Sequence, residues 1–120
     1  MKLNYPDTYI RYINCLESDV GNVVAFLYEN KLKFHTRKTI HRMICGGEGN
    51  RKSYRVLVAV EGSEIVGIAI TSFKSRTLSL LFVVPSFRKC GIGKELCLRS
   101  EPLQILSTIA AIPYFARVLV

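Results

Sequence analysis

The stretch from Tyr54 to Val84 constrains the fold more than any other part of the sequence. It holds three apolar segments separated by two short turn sequences, at residues 61–63 and 74–76. Valine, isoleucine and other strand-favouring residues dominate the segments, and small or polar residues occupy the turns. This pattern predicts three consecutive antiparallel strands over residues 55–60, 64–73 and 77–84. The third strand is apolar enough to be central in a sheet, and Pro85 ends it.

The N-terminal part predicts one further strand and two helices. Residues 9–15 mix aromatic and β-branched side chains, which favours a strand. A first helix is predicted from a cap at Ser18 or Asp19 to about Asn30, and a second helix over residues 36–45. The apolar positions that share one helical face are Val20, Val23, Val24, Leu27 and Tyr28 in the first helix, and Ile40, Met43 and Ile44 in the second.

After Pro85 the sequence predicts a helix over residues 91–99, with Leu96 and Leu98 in the core, and a strand over 105–112. Pro113 then favours the first turn of a last helix over 114–120, where its missing amide hydrogen costs no hydrogen bond. The order β-α-α-β-β-β-α-β-α predicts an α/β (α+β) fold with a mixed, mostly antiparallel sheet flanked by helices. A chain of 120 residues is the size of a single domain, so we expect one domain over residues 1–120.

Composition excludes several classes of protein. No apolar run approaches the ~20 residues that span a bilayer, and the first seven residues lack the apolar core of a signal peptide, so we expect a soluble, cytoplasmic protein without a membrane contact. The cysteines are far apart in sequence, at Cys15, Cys45, Cys90 and Cys97. They form no Cys-x-x-Cys pair, which argues against a zinc or thioredoxin-type site, and we expect no metal.

The net charge of +8 is distributed unevenly. Between Lys31 and Arg55 there are eight lysines and arginines and a single carboxylate, Glu48. Such a basic stretch is typical of a surface that contacts nucleic acid or an acidic protein, and equally of a solvated helix and loop. Both interpretations stay open at this point.

The segment 81–94 contains the strongest chemical motif. A predicted strand leads into a loop with several cations, then into two glycines spaced by one residue, and then into a predicted helix. Glycines let backbone amides approach an anion, and a helix N-terminus adds free donors and positive partial charge, so a diphosphate fits this order. A Walker A loop is excluded because Glu95, and not serine or threonine, follows Lys94. A dinucleotide fingerprint is disfavoured because there are two glycines, after an antiparallel meander.

This segment resembles motif A of the GNAT acetyltransferase superfamily, R/Q-x-x-G-x-G/A after a strand that ends in V-x-P. The match runs from Arg88 to Gly93, and the preceding strand residues are 81–85. The predicted element order is also similar to that family over most of the chain. The resemblance implies an N-acetyltransferase that moves an acetyl group from acetyl-CoA to a primary amine of a protein or small molecule, by direct attack in a ternary complex. The alternative is a catalytically weak or inactive CoA-binding module, or a basic module that binds nucleic acid or an acidic partner.

The resemblance also implies which residues contact the co-substrate. The strand backbone of Leu81, Phe82 and Val83 would pair with the pantetheine arm. The loop and the start of the following helix would bind the pyrophosphate through backbone amides, at Arg88, Lys89, Cys90, Gly91, Ile92, Gly93 and Lys94. The side chains of Arg88, Lys89 and Lys94 are candidates for additional charge-assisted contacts.

Catalytic residues are less well defined by the sequence. By resemblance, Tyr114 is the candidate acid that protonates the departing thiolate; its alternative is an aromatic core residue. His35 is a weaker candidate, in the loop between the first two helices. No carboxylate lies in the strand over 77–84 to act as base, since Glu61 and Glu64 lie at a turn, and Ser79 is a candidate to hold a relay water.

Relatives usually continue beyond the last predicted helix with further strands. We therefore expect the strand over 105–112 to present an edge that a second copy or another partner completes, giving a homodimer or a partner complex. The identity of the amine acceptor is not encoded in any motif of the sequence.

Overall fold

The computed structural model describes residues 9–32, 36–47, 53–74 and 77–100. Two short 3-10 turns, Glu17–Asp19 and Pro85–Phe87, precede the first and third helices. The regular elements in chain order are β1 (Ile10–Asn14), α1 (Val20–Glu29), α2 (Arg37–Cys45), β2 (Tyr54–Glu61), β3 (Glu64–Ser72), β4 (Thr77–Val83) and α3 (Ile92–Ser100).

The four strands form one antiparallel sheet in the order β1-β2-β3-β4. One row across the sheet pairs Tyr12 with Ala59, Ala59 with Gly67, and Gly67 with Val83. The meander predicted from residue 54 onward is present, with strand ends within one residue of those expected. The predicted fold class, a mixed α/β fold with a mostly antiparallel sheet flanked by helices, is confirmed.

Helices cover both faces of the sheet. Side chains of a strand alternate between faces, so Val58 of β2 packs in the core beneath α1 and α2, whereas Leu57 and Ala59 pack beneath α3. The sheet therefore separates two apolar cores. The N-terminal end of α3 lies on the face opposite α1 and α2.

The second helix matches its prediction closely. Thr36 caps it, since its Oγ1 accepts a hydrogen bond from the Thr39 amide at 3.2 Å. The predicted apolar face of Ile40, Met43 and Ile44 is buried.

Two predictions about helix faces are wrong: Tyr28 was assigned to the apolar face of α1 and Leu98 to the core, but both side chains are exposed. Tyr28 of α1 is 70% exposed, and Phe26 is buried instead, with its ring centroid 6.0 Å from that of Phe82. Leu98 of α3 is 41% exposed, while Leu96 and its neighbour Cys97 are buried. Residues two apart in a helix point about 200° apart, so Leu96 and Leu98 cannot both face the sheet.

Two β-bulges break the regular pairing. Val66 is the extra residue of β3 where it faces Ala59 and Val60, and Ser79 is the extra residue of β4 where it faces Ile70 and Thr71. A bulge bends its strand and re-aims the neighbouring groups.

The predicted strand over 105–112 and the predicted helix over 114–120 lie outside the described residues. Within the described part of the chain, no helix has the length and apolar character needed to cross a membrane.

Candidate functional site

The connection between β4 and α3 is a compact, internally bonded loop. Pro85 begins a 3-10 turn in which the Phe87 amide donates to the Val84 carbonyl at 2.9 Å, and the Arg88 amide donates to the Pro85 carbonyl at 3.3 Å. Proline suits this position because its fixed φ matches the first residue of a turn. The loop thus leaves the strand in a defined direction.

The side chain of Arg88 folds back onto the strand. Its Nε donates to the Val83 carbonyl at 2.6 Å, and its guanidinium carbon lies 5.2 Å from the centroid of the Phe82 ring. Together with the Arg88 amide, these contacts join the end of the loop to the end of β4. This arrangement could not be predicted from the sequence, because the local context does not distinguish Arg88 from the other cations of the loop.

The backbone beyond Arg88 turns through two left-handed residues. Lys89 has φ +65° and Gly91 has φ +90°. Gly91 adopts this conformation without the steric cost that a Cβ would add, and it precedes α3, where its carbonyl accepts from the Glu95 amide at 3.0 Å.

Among the described residues, the backbone amides from Lys89 to Lys94 donate no hydrogen bond to a backbone carbonyl, and we refer to them as the free amides. The last three belong to the first turn of α3, where helix geometry leaves the amides unpaired and the helix dipole is positive. The side chains of Lys89 and Lys94 are exposed and form no ion pair with any described residue.

The adjacent edge of β4 also presents backbone groups. The Val84 amide donates to the Val66 carbonyl at 2.9 Å, so Val84 faces β3. Because alternate residues of an antiparallel strand direct their amide groups to opposite sides, Leu81 and Val83 direct theirs away from β3, whereas those of Phe82 face β3. The Arg88 bond to the Val83 carbonyl agrees with this direction.

Close packing fixes the height of α3 above the sheet. Gly67 of β3 lies under the helix, and a Cβ at this position would be 3.0 Å from Leu96 Cδ1 and 3.4 Å from Ile92 Cγ2. An isolated glycine in a strand pattern indicates such a close approach, so this packing is one that the sequence could have predicted.

Two arginines secure the C-terminal half of α3. Arg55 of β2 donates to the carbonyls of Arg99 and Ser100, at 3.2 and 3.1 Å, which places a positive charge at the negative end of the helix. Arg99 bonds Glu95 at 2.6 Å and lies over the Tyr12 ring, 4.5 Å from its centroid. These contacts fix the position of α3 on the sheet, and with it the position of the free amides at the start of the helix.

The cysteines differ sharply in environment. Cys90 is exposed in the loop, and its Sγ donates to the Phe87 carbonyl at 2.8 Å. Cys15 and Cys97 are buried, and burial raises the pKa of Cys15 to about 12 and that of Cys97 to about 11. No group of three potential metal-ligating side chains occurs among the residues that the structure covers.

The structure does not bring the remaining predicted catalytic residues together with the loop among its described residues. Tyr114 and His35 lie outside the described residues. Glu61 and Glu64 are opposite each other in register at the β2–β3 hairpin turn, and neither lies on β4. Ser79 is exposed at the bulge of β4.

The described residues of the basic stretch between Lys31 and Arg55 do not form one surface. Arg37, Lys38 and Arg42 are exposed on α2. Arg55 instead bonds α3 on the opposite face of the sheet.

The chain matches the model of the acetyltransferase (GNAT) domain over residues 18–104. No curated protein sequence matches it. Among solved structures, 65 chains match.

Three of these structures illustrate the range of similar proteins. An aminoglycoside acetyltransferase from an uncultured soil metagenomic sample, in complex with sisomicin, is 16% identical with a TM-score of 0.58, and the alignment covers 83% of this chain and 72% of that one. The ribosomal-protein-alanine N-acetyltransferase from Brucella melitensis biovar Abortus 2308 is 15% identical with a TM-score of 0.56, covering 93% and 88%. A predicted acetyltransferase from Clostridium acetobutylicum, with acetyl-CoA, is 13% identical with a TM-score of 0.60, covering 92% and 86%.

Proposed function

The chain belongs to the GNAT acetyltransferase family, and on that premise we propose that it transfers an acetyl group from acetyl-CoA to a primary amine of a protein or small molecule, by direct attack in a ternary complex. The observation on which the proposal chiefly rests is the run of free amides from Lys89 to Lys94, beside the outward-facing backbone of β4. One arrangement thus offers donors for a diphosphate and a strand edge for an extended amide-containing arm.

The donor set fits the chemistry of the co-substrate. A diphosphate needs several hydrogen-bond donors and positive charge, which the loop amides, the N-terminus of α3, Lys89 and Lys94 supply. The pantetheine arm contains two amides, which match the Leu81 amide and carbonyl and the Val83 amide on the outward edge of β4.

The chemistry requires little covalent participation from the protein. Acetyl-CoA supplies an activated thioester: the amine nitrogen forms the new N–C bond, the C–S bond breaks, the amine loses a proton and the thiolate takes one up. The chain contributes orientation, since holding the two reactants together removes much of the entropic barrier. An outward-facing amide of β4 is suited to donate a hydrogen bond to the thioester carbonyl oxygen.

Proton transfer is assigned by resemblance. Tyr114 remains the candidate donor to the thiolate. Because the strand Thr77–Val83 contains no carboxylate, we propose that the amine proton leaves through water, with the exposed Ser79 as a candidate to position that water.

Calorimetry with acetyl-CoA tests the co-substrate. We expect the wild type to bind and Gly91→Glu to lose most of the affinity, because a carboxylate would stand among the anion-binding amides. Gly62→Glu is the matched control: Gly62 has φ +64°, a Cβ at either glycine meets nothing within 4 Å, and Gly62 lies in the β2–β3 turn. Absence of wild-type binding would refute the proposal. Equal losses of acetyl-CoA affinity in the two variants would show that backbone strain, and not the added carboxylate in the loop, causes the effect.

Turnover with a panel of primary amines tests the reaction itself. The panel should contain peptide N-termini, lysine peptides, polyamines and aminoglycosides, with release of the CoA thiol as the readout. We expect at least one amine to be acetylated, and Tyr114→Phe to lower kcat more than KM. A chain that binds acetyl-CoA but acetylates none of these amines would instead be a CoA-binding module.

A second candidate role concerns the exposed basic face of α2. Arg37, Lys38 and Arg42 point to solvent and form no ion pair with a described residue. We propose that this face docks an acidic partner that presents the acceptor. Binding of a polyanionic probe such as heparin should weaken steeply with salt and fall in an Arg37→Ser/Lys38→Ser/Arg42→Ser triple variant, without a change in acetyl-CoA affinity.

A further inference from the structure

The two predicted halves of the co-substrate site belong to different elements. The strand edge that would take the pantetheine arm ends at Val83, and the amides that would take the diphosphate begin at Lys89. The loop between them determines the distance and angle between the two halves. A ligand that must satisfy both halves at once depends on that angle as much as on either set of contacts.

Arg88 is the residue that bridges this gap. Its backbone amide belongs to the 3-10 turn, and its Nε bonds the Val83 carbonyl at 2.6 Å, a charge-assisted bond at the short end of the range. The guanidinium lies against the Phe82 ring, which restricts it further. These contacts tie the first residue of the motif to the last residue of the strand.

The bond also limits the strand edge. The Val83 carbonyl faces away from β3. Without the Arg88 bond, it would be a further hydrogen-bond acceptor for a strand added at this edge. Arg88 bonds that acceptor, whereas the outward amide and carbonyl of Leu81 and the outward amide of Val83 have no backbone partner among the described residues. The position at which an extended arm must turn from the strand toward the loop is thereby fixed.

We propose that Arg88 is a positioning residue for acetyl-CoA: it fixes the angle between β4 and the amides of α3 through its bond to the Val83 carbonyl, and its positive charge does not bind the diphosphate directly. The inference rests on the proposed function. It differs from the role first expected for this side chain, which was a charge-assisted contact with phosphate.

Arg88→Gln and Arg88→Met separate the two roles. Glutamine keeps an N–H donor for the Val83 carbonyl but has no charge, and methionine has neither. A positioning role predicts that Arg88→Met weakens acetyl-CoA binding about tenfold while Arg88→Gln stays within about threefold of the wild type. A phosphate contact predicts that both variants lose affinity equally, because both lose the charge.

Salt dependence gives the second readout. Calorimetry of wild type, Arg88→Gln and Arg88→Met at 50 and 300 mM NaCl should show the same fractional loss of affinity with salt in all three proteins. Lys94→Met is the comparison for an exposed cation at the diphosphate, and its deficit should shrink as salt screens the contact. If Arg88→Met does not fold, the salt dependence of Arg88→Gln against wild type still decides between the roles.

The outcomes are distinct from failure of the proposed function. A wild type that does not bind acetyl-CoA refutes both. With wild-type binding intact, an Arg88→Gln variant as weak as Arg88→Met, a deficit that shrinks with salt, or a foldable Arg88→Met variant with unchanged affinity each overturns the positioning role alone.

Discussion

Gly67 of β3 lies directly beneath Leu96 of α3, so closely that a methyl group on Gly67 would be 3.0 Å from Leu96 Cδ1 and 3.3 Å from the Phe82 carbonyl oxygen. The carbonyl belongs to the sheet and cannot move aside as a flexible side chain would. Gly67→Ala should therefore lift α3 and lower the free energy of unfolding by about 1–3 kcal/mol. Chemical denaturation with urea measures this change.

The matched control for Gly67→Ala is Gly21→Ala in α1. A Cβ at Gly21 would be 3.9 Å from the guanidinium nitrogens of Arg37, which is an ordinary van der Waals distance. Replacing glycine by alanine inside a helix should raise stability by about 0.5–1 kcal/mol. We also expect Gly67→Ala, and not Gly21→Ala, to weaken acetyl-CoA binding. A stabilising Gly67→Ala would show that the helix is less closely packed than the structure indicates.

Thr71 of β3 contains a buried hydroxyl without a hydrogen-bond partner among the described residues, and the residue is 1% exposed. Burying an unsatisfied hydroxyl is costly, and valine has nearly the same shape. Thr71→Val should therefore raise the free energy of unfolding by about 1 kcal/mol, as measured by urea denaturation.

Ser100→Ala provides the contrast for Thr71→Val. The Ser100 hydroxyl is also buried but donates to the Leu96 carbonyl at 2.6 Å. Its removal should lower stability by about 1 kcal/mol. A loss of stability in Thr71→Val would indicate that its hydroxyl has a partner outside the described residues.

The sequence predicted the regular elements well because their signals are local. The three-stranded meander and the second helix depend on neighbouring residues, and the ends of both were predicted to within one residue. The buried face of each helix is harder to predict. Tyr28 and Leu98 fit an apolar pattern, but the face that meets the sheet is set by partners such as Phe82, which are distant in sequence.

The candidate site shows the same division. Gly91 and the start of α3 follow from the local order of strand, glycine and helix. The orientation of the Arg88 side chain cannot be predicted in this way. Its hydrogen-bond acceptor and its aromatic contact both belong to β4, and Arg88 reaches them only in the folded conformation of the loop. Bulges at Val66 and Ser79 are likewise products of pairing between strands, and no single-strand pattern marks them.

The exposed thiol of Cys90 provides a chemical probe of the loop. Cys90 lies among the free amides, whereas Cys15 and Cys97 are buried with raised pKa values, so iodoacetamide at pH 7.5 should label Cys90 well before either of them. Peptide mass spectrometry measures each rate. Saturating acetyl-CoA should slow labelling of Cys90 at least fivefold, and the same concentration of free acetate should not. Unchanged labelling under conditions where calorimetry shows binding would place the co-substrate elsewhere.

The two buried thiols should make the fold less stable in alkali. Burial raises the pKa of Cys15 to about 12 and that of Cys97 to about 11, from an ordinary value of 9.0. Below pH 9 both thiols are protonated in the folded and unfolded states, so their contribution to stability is fully present. Between pH 9 and the folded pKa the unfolded chain loses these protons first, and stability falls by up to about 1.4 kcal/mol per pH unit for each thiol.

Urea denaturation at pH 8, 9, 10 and 11 measures this slope. Lysines and tyrosines also titrate in this range, so the comparison between variants is decisive and the wild-type slope alone is not. Cys15→Ala and Cys97→Ala should each give a shallower slope above pH 9, whatever their stability at pH 8, because one thiol no longer releases its proton on unfolding. Equal slopes in all three proteins would show that the buried thiols ionise as readily in the folded chain as in the unfolded one.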